Sequence, residues 1–380
     1  MRIPYGRQNI TDADLSAVRE ALHSEYLTQG PTIDEFEKNF AQYVGSNYAV
    51  AVSNGTAALH LCAMALNVEA GQKVITTPIT FAASANCVRY AGGEVVFCDI
   101  DPETYLMDLD KLESMLSAKP KGYYKGIIPV DFAGLMVDLE KVRAIADAYG
   151  CWVVEDSCHA PGAHFIDSKG QKIMAGSGVY SDASIFSFHP VKHIACGEGG
   201  MVTTNREDLA KSIQLLRAHG ITKDPDLMGV NDGPWYYEMV KLGFNYRLTD
   251  IQAALGISQL SRLDWSLEER NKLAVKYHQF FDAKGWKHQS VSEGYFNAHH
   301  LYVIQHPDRK ALFHHLKAHS IYPQIHYIPV HSMPYYQSLG WKPEDLPLAM
   351  EYYSQCISLP MYPSLKEGEF NYVLETLDTF

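Results

Sequence analysis

The stretch "YAVAVSNGTAALHLCAMAL" (residues 48–66) joins a short apolar run to a helical one through Ser-Asn-Gly. The same order then recurs. "KVITTP" (73–78) leads into "TFAASANCVRYA" (80–91) and "GIIPVDF" (126–132) into "LEKVRAIADAYG" (139–150), while "EVVFCDI" (94–100) and "CWVVEDS" (151–157) lead into loops. Strand-like and helical runs alternating in this way predict βαβ units around a mostly parallel sheet. Runs such as "CWVVE" show no polar alternation, so both faces of those strands are expected to be covered by helices. The expected fold class is therefore a three-layer α/β/α unit.

Outward from this core, helices are expected near residues 12–23 and 32–44. Thr249 and Gln252 have capping-box spacing, and the apolar period after them predicts one continuous helix almost to Gly285. Beyond it "HLYVIQH" (300–306), "RKALFHHLKAHS" (309–320) and "YPQIHYIPV" (322–330) read as strand, helix and strand, enough for a small α+β domain. Two domains are expected: a large one over 12–255, and a small C-terminal one over 256–380 that also takes in 1–11.

Composition narrows the function. With 380 residues, 47% of them hydrophobic, the chain can bury a large core. A net charge of −12 without a Lys/Arg run argues against a nucleic-acid partner. No stretch approaches the roughly 18 uninterrupted apolar residues of a membrane span, and "MRIPYGRQNI" lacks a signal-peptide core, so a cytoplasmic location is expected. Seven irregularly spaced cysteines fit reduced thiols.

In an open α/β sheet, ligands bind beyond the carboxyl ends of the strands. Three signals lie there. "SNGTAALHL" places Gly55 in a turn before a helix whose N–H groups suit a phosphate, although turn glycines are common. Asp156 leaves a buried strand and needs a partner, which a helix cap would also supply; His159, three residues on, by itself reads more readily as a core histidine. Lys192, in "SIFSFHPVKHIACGEGG" (184–200), sits between an aromatic run and glycines. A lysine in an apolar pocket becomes nucleophilic, whereas in a loop it is usually just solvated. Together, Gly55 and Ser187 for a phosphate, Asp156 for a pyridinium nitrogen and Lys192 for an imine fit pyridoxal 5'-phosphate (PLP).

With those residues in view, the chain resembles the DegT/DnrJ/EryC1/StrS sugar aminotransferases, within the fold-type I group of PLP enzymes. The resemblance runs almost end to end through "TQGPTIDEFEKNFAQYVG", "VSNGTAALHLCAMAL", "TPITFAASANCVRYAGG", "VVEDSCHAPGA", "FSFHPVKHIACGEGGMV" and "GFNYRLTDIQAALG". It implies that Lys192 and Asp156 are catalytic, as the imine-forming lysine and the partner of the pyridine nitrogen. It further implies that Gly55, Thr56 and Ser187 bind the phosphate, that Phe81 stacks on the ring, and that His159 stands beside the phenolic oxygen, where the family often has glutamine. Asn245 would reach the phosphate of a neighbouring subunit, which implies a homodimer with shared active sites.

Within the family, "IPYGRQNI", "FSFHPVKH", "IHYIPVH" and "PYYQ" look most like the branch that aminates a UDP-linked 4-keto-6-deoxy-N-acetyl-L-altrosamine with L-glutamate as donor, in pseudaminic acid biosynthesis. Tyr5, His326 and Tyr327 are then expected on the sugar side, though each also reads as structural. Other nucleotide 4-keto sugars, of D-gluco or L-arabinose type, remain alternatives. A related sugar dehydratase replaces the lysine by histidine, which Lys192 argues against, and a non-catalytic relative is argued against by the intact Lys192 and Asp156. His189/His193 and His315/His319 have metal-like spacing, but Pro190 interrupts the first pair and the second reads as a solvated face. No metal site and no thiol nucleophile at Cys196 are expected.

Overall fold

The computed structural model describes residues 2–380. Seven strands form the central sheet: β1 Tyr48–Val52, β2 Lys73–Thr76, β3 Glu94–Phe97, β4 Tyr124–Ile128, β5 Trp152–Asp156, β6 Ala183–Ser187 and β7 Gly200–Thr204. Their order is β1-β7-β6-β5-β4-β2-β3. β2 to β6 run parallel, and β7 lies antiparallel to both β1 and β6. The sheet is thus mostly parallel, and the carboxyl ends of β1 to β6 share one edge. Gly200, which opens β7, lies at that same edge opposite Val52 and Ser187.

The helices follow the local chemistry. They are α1 Asp12–His23, α2 Pro31–Val44, α3 Gly55–Ala65, α4 Ala83–Tyr90, α5 Leu109–Ser117, α6 Leu139–Tyr149 and α7 Glu207–Leu216. α2 shows the logic: Pro31 stands in its first turn, Gly45 closes it with φ 79°, and Ile33, Phe36, Phe40 and Val44 form its buried stripe. Phe40 meets Phe186 at 4.9 Å and Phe36 meets Phe188 at 5.3 Å between ring centroids. Each buried Phe contributes about 1.5–3 kcal/mol. This packing anchors the segment that leads into Lys192.

The expected continuous helix after Thr249 is two helices, α8 Asp250–Leu260 and α9 Leu263–Lys284. The capping box at Thr249 and the stop at Gly285 are both present. The break at Ser261–Arg262 has a long-range cause: Arg262 Nη2 donates to Asp14 Oδ2 at 2.6 Å, while Ser261 Oγ donates to the Ser258 carbonyl at 2.7 Å. Apolar periodicity carries no trace of an ion pair to α1.

A second apolar cluster gathers the far half of α9 through Tyr277 and Phe281, α10 Arg309–Ala318 through Leu312 and Leu316, and helix Glu367–Asp378 through Phe370 and Val373. Its sheet is antiparallel, in the order β8 Lys287–His288, β9 Tyr302–Gln305, β10 Cys356–Leu359. The chain start joins it, because Ile3–Pro4 pairs in parallel with Ile321–Tyr322 and Ile3 is fully buried.

Candidate active site

A cavity of about 800 Å³ opens at the carboxyl edge of the sheet. Gly55, Thr56, Phe81, Asp156, His159, Ser187 and Lys192 all line it. Tyr5, His326 and Tyr327 line it as well, brought in from the two ends of the chain. Asn245 does not: it is exposed and lies outside the cavity of its own chain, although its neighbour Tyr246 is on the wall.

Lys192 sits in the turn after β6, its N–H donating to the His189 carbonyl at 2.8 Å. Burial pushes its ammonium below the usual lysine range, while Cys158 and Asp156 act the other way. A lysine so placed gives up its proton more readily and can attack a carbonyl.

Asp156 ends β5 and is 4% exposed. Ser84 Oγ, from α4, donates to its Oδ2 at 2.6 Å, and the Cys158 N–H donates to its Oδ1 at 3.2 Å. Thr80 Oγ1 lies 2.7 Å behind Ser84 Oγ, so a short hydroxyl chain orients the carboxylate. Two donors leave the remaining lone pairs free for a cationic partner in the cavity.

Gly55 serves a different purpose from the expected turn. Asn54 is the N-cap of α3, its side chain accepting from the Ala57 N–H at 2.8 Å, and Gly55 is the first helical residue. A Cβ at Gly55 would come within 3.0 Å of Ser187 Cβ and 3.3 Å of Cys158 Sγ. Close approach between α3, β5 and β6 is what requires glycine here. The free N–H groups of the first turn of α3, with the Thr56 and Ser187 hydroxyls, form an anion cradle.

His159 is neutral and held in one tautomer. Burial pulls its pKa well below the ordinary value, with Lys192 adding to the effect. The Ala133 N–H donates to its Nδ1 at 3.2 Å, so the ring proton is on Nε2, which lies 3.1 Å from the Tyr327 hydroxyl. Ala133 has φ 62°, a strained conformation for alanine, in making this contact. Titration at this histidine, which residue type alone leaves open, is suppressed.

At the other end, His326 Nδ1 lies 2.8 Å from Ser358 Oγ, and the Tyr352 hydroxyl donates to the His326 carbonyl at 2.6 Å. Burial takes His326 down to about 3, so it too is neutral. Burial raises the Tyr327 and Tyr5 hydroxyls, which stay protonated. Phe81 is 64% exposed, its ring centroid 6.4 Å from that of Tyr327 and the two rings tilted by 56°. So large an exposed aromatic on a cavity wall is available for stacking.

Ser84, Ala133 and His300, whose ring lies 4.4 Å from that of His159, were not indicated by the motifs. Ser84 left one signal, a hydroxyl among the small residues Ala82, Ala83 and Ala85; the other two left none. His189 and His193 do not converge, since His193 Nε2 faces the Ala298 carbonyl at 2.9 Å. Among the described residues no group of His, Cys, Asp and Glu is arranged to hold a metal ion. All seven cysteines are free, and burial raises the Cys196 thiol, disfavouring its thiolate. No described helix is long and apolar enough to cross a membrane.

An amine, an oriented carboxylate, an exposed aromatic ring and a helix N-terminus converging on one cavity are the groups that the aldehyde, ring nitrogen, ring face and phosphate of PLP require. Residues 8–378 match the DegT/DnrJ/EryC1/StrS aminotransferase family. The spore coat polysaccharide biosynthesis protein SpsC of Bacillus subtilis is 38% identical, over 99% of this chain and 96% of its own length. The UDP-4-amino-4,6-dideoxy-N-acetyl-β-L-altrosamine transaminase of Campylobacter jejuni is 35% identical over the same shares. The fold superposes with a TM-score of 0.87 on Helicobacter pylori PseC, an aminotransferase of pseudaminic acid biosynthesis, at 29% identity and with 100% of both chains covered. Solved structures of the same fold include a PLP form. The chain therefore belongs to the DegT/DnrJ/EryC1/StrS family and is a PLP-dependent sugar aminotransferase.

Proposed function

We propose that this enzyme moves an amino group from L-glutamate to the 4-keto carbon of UDP-linked 4-keto-6-deoxy-N-acetyl-L-altrosamine, in the cytoplasm, giving the 4-amino sugar nucleotide used for pseudaminic acid. The observation that carries the reading is the convergence of Lys192 and Asp156 with Tyr5, His326 and Tyr327 on one cavity. The altrosamine transaminase relative, similar over nearly the whole chain, supports the substrate.

Bound PLP supplies an aldehyde that captures amines and a ring that accepts electrons. Lys192 would hold the cofactor at rest; as a free amine it would carry a proton from the donor Cα to the cofactor in the glutamate half-reaction, and from the cofactor to the sugar C4 in the second. Asp156, held by Ser84 and the Cys158 N–H, keeps the proton on the pyridine nitrogen. Gly55, Thr56 and Ser187 would hold the phosphate, Phe81 would stack on the ring, and His159 would stand beside the phenolic oxygen. Tyr5, His326 and Tyr327 face the sugar with neutral hydrogen-bonding groups, which suit hydroxyls and an N-acetyl group.

We further draw two domains, 12–255 and 256–380 with 1–11, with the cavity between them. The working unit in this reading is a homodimer. Among the described residues Lys192 is the one Lys or Arg on the cavity wall, so the UDP pyrophosphate needs cations from elsewhere. Asn245 stands exposed outside its own cavity, beside Arg247, and the nearby segment from Ile221 to Leu242 carries Trp235, Met239 and Leu242 at 70%, 63% and 75% exposure. Apolar surface of that kind suits burial against a second copy. Mixing Lys192→Ala with Asn245→Asp subunits should restore activity in heterodimers that carry one intact site; sedimentation as a monomer would contradict the shared site.

A second reading, amination of a different nucleotide 4-keto sugar, is favoured by the 38% identity to SpsC. One experiment separates them. The pyridoxamine form, prepared with glutamate and freed of it, is mixed with the altro substrate or its D-gluco epimer, and the visible absorbance of lysine-bound cofactor is followed. Faster return with the altro sugar supports the first reading, and return only with another sugar supports the second. Lys192→Ala, which cannot regain that absorbance, is the control.

A further inference from the structure

We propose that this protein binds a small monovalent anion, of halide size, in a second cavity bounded by Arg7, Arg262, Ser266 and Arg270. This cavity measures about 20 Å³, room for one guest the size of a water molecule. Lys192 borders both it and the active-site cavity.

Among the described residues, four buried side-chain polar atoms without a partner belong to this one wall: Arg262 Nε, Ser266 Oγ, Arg270 Nε and His193 Nδ1. Buried polar groups are normally satisfied. Four unsatisfied ones around a single hole indicate a guest that the protein atoms leave room for.

Charge selects the guest. Arg270 is 2% exposed, and its Nη1 donates to the carbonyls of His299, His300 and Met361 at 3.1, 3.3 and 2.9 Å. Burial pushes this guanidinium down to about 9, which leaves it cationic at neutral pH. Arg262 is paired with Asp14 through Nη2 at 2.6 Å, so its Nε is free to turn to the hole. Arg7 stands exposed at the rim, and no Asp or Glu lines the wall.

A water molecule could accept from two of the three donors. It would in addition donate to His193 Nδ1, a bare lone pair because Nε2–H is directed at the Ala298 carbonyl. An uncompensated buried charge costs more than an unfilled lone pair, so the anion is the better guest. Room for one small guest favours a halide over the larger phosphate and sulfate.

The test uses holoenzyme purified in gluconate. Crystals soaked in sodium bromide should show an anomalous peak within reach of Arg262 Nε, Arg270 Nε and Ser266 Oγ. Ser266→Asp, which brings its own carboxylate, should lack the peak. In solution, bromide should raise the melting temperature beyond sodium gluconate at equal ionic strength, by a few degrees. Ser266→Ala should need several-fold more bromide for the same rise, and Ser266→Asp should show none. If Ser266→Asp does not fold, the wild-type and Ser266→Ala arms decide. A guest without anomalous signal, a side chain of a second copy in the hole, or identical effects of bromide and gluconate on the wild type would each overturn the proposal.

Discussion

The two ends of the active-site cavity are built differently. At the cofactor end, Gly55, Asp156, Ser187 and Lys192 all stand at the same edge of one sheet, at or just beyond the carboxyl ends of β1, β5 and β6. At the sugar end, Tyr5 and His326 have rings 5.0 Å apart yet come from opposite ends of the chain. The first arrangement follows from strand direction and needs only that the sheet form. The second depends on long-range pairings such as Ile3 with Ile321 and on Ser358 holding His326. The cofactor end should therefore tolerate changes in the C-terminal region, whereas the sugar end should not.

Substitutions can break or sharpen this contrast. Lys192→Ala should lower kcat by about 10⁴-fold by removing both the covalent anchor and the proton carrier; stopped-flow half-reactions with glutamate would show it. Asp156→Ala should cost about a hundredfold in turnover and weaken cofactor retention, seen in the visible spectrum after dialysis. Near wild-type turnover would refute its role.

Tyr327→Phe tests the other end. Losing one buried hydroxyl costs about 1–3 kcal/mol, so KM for the sugar nucleotide should rise roughly tenfold while the glutamate half-reaction and cofactor affinity stay near wild type. Equal damage to both half-reactions would mean that the two ends are not separable, since the Tyr327 hydroxyl also meets His159.

A smaller effect concerns the opposite face of β5. Glu155, beside Asp156, turns to the other side, where Ser184 Oγ and the Gly176 N–H donate to its Oε2 and where it meets Asp131. Burial raises both carboxyls, Asp131 the more strongly because the charge of Glu155 adds to it. Glu155 Oε1 has no other partner, which fits a proton shared between the two. A carboxyl whose pKa is higher folded than unfolded contributes stability below the unfolded value of about 3.9, and loses it as pH rises through the folded value. Asp131→Asn, which cannot ionise, should flatten the fall of the urea midpoint with rising pH above about 4. An unchanged slope would place the proton elsewhere. Thr249→Ala should do least, about 1 kcal/mol of stability from the lost cap of α8, with kcat unaltered.

Legibility in the sequence followed the same division. The parallel sheet, the caps at Thr249 and Gly285, the strand end at Asp156 and the turn bearing Lys192 come from period, turn chemistry and strand order, all local. The Ser261–Arg262 break was invisible because its cause, Asp14, lies 248 residues away. Gly55 reads from the sequence as a turn glycine, whereas in the structure a close approach to Ser187 and Cys158 requires it, and both leave the same letter. Likewise, Ala133 gives no warning that its strained backbone N–H fixes the tautomer of His159.

What the sequence by itself determined is the order of strands and helices, and with it the edge where an amine, a carboxylate and a helix N-terminus meet. Only the tertiary structure decided that His159 and His326 are neutral, that Ser84 orients Asp156, and that Tyr5 joins Tyr327 on one wall. The reason is physical. Backbone pattern is written in neighbouring residues, whereas burial, protonation and side-chain pairing are properties of what surrounds a group, and those surroundings come from segments hundreds of residues apart.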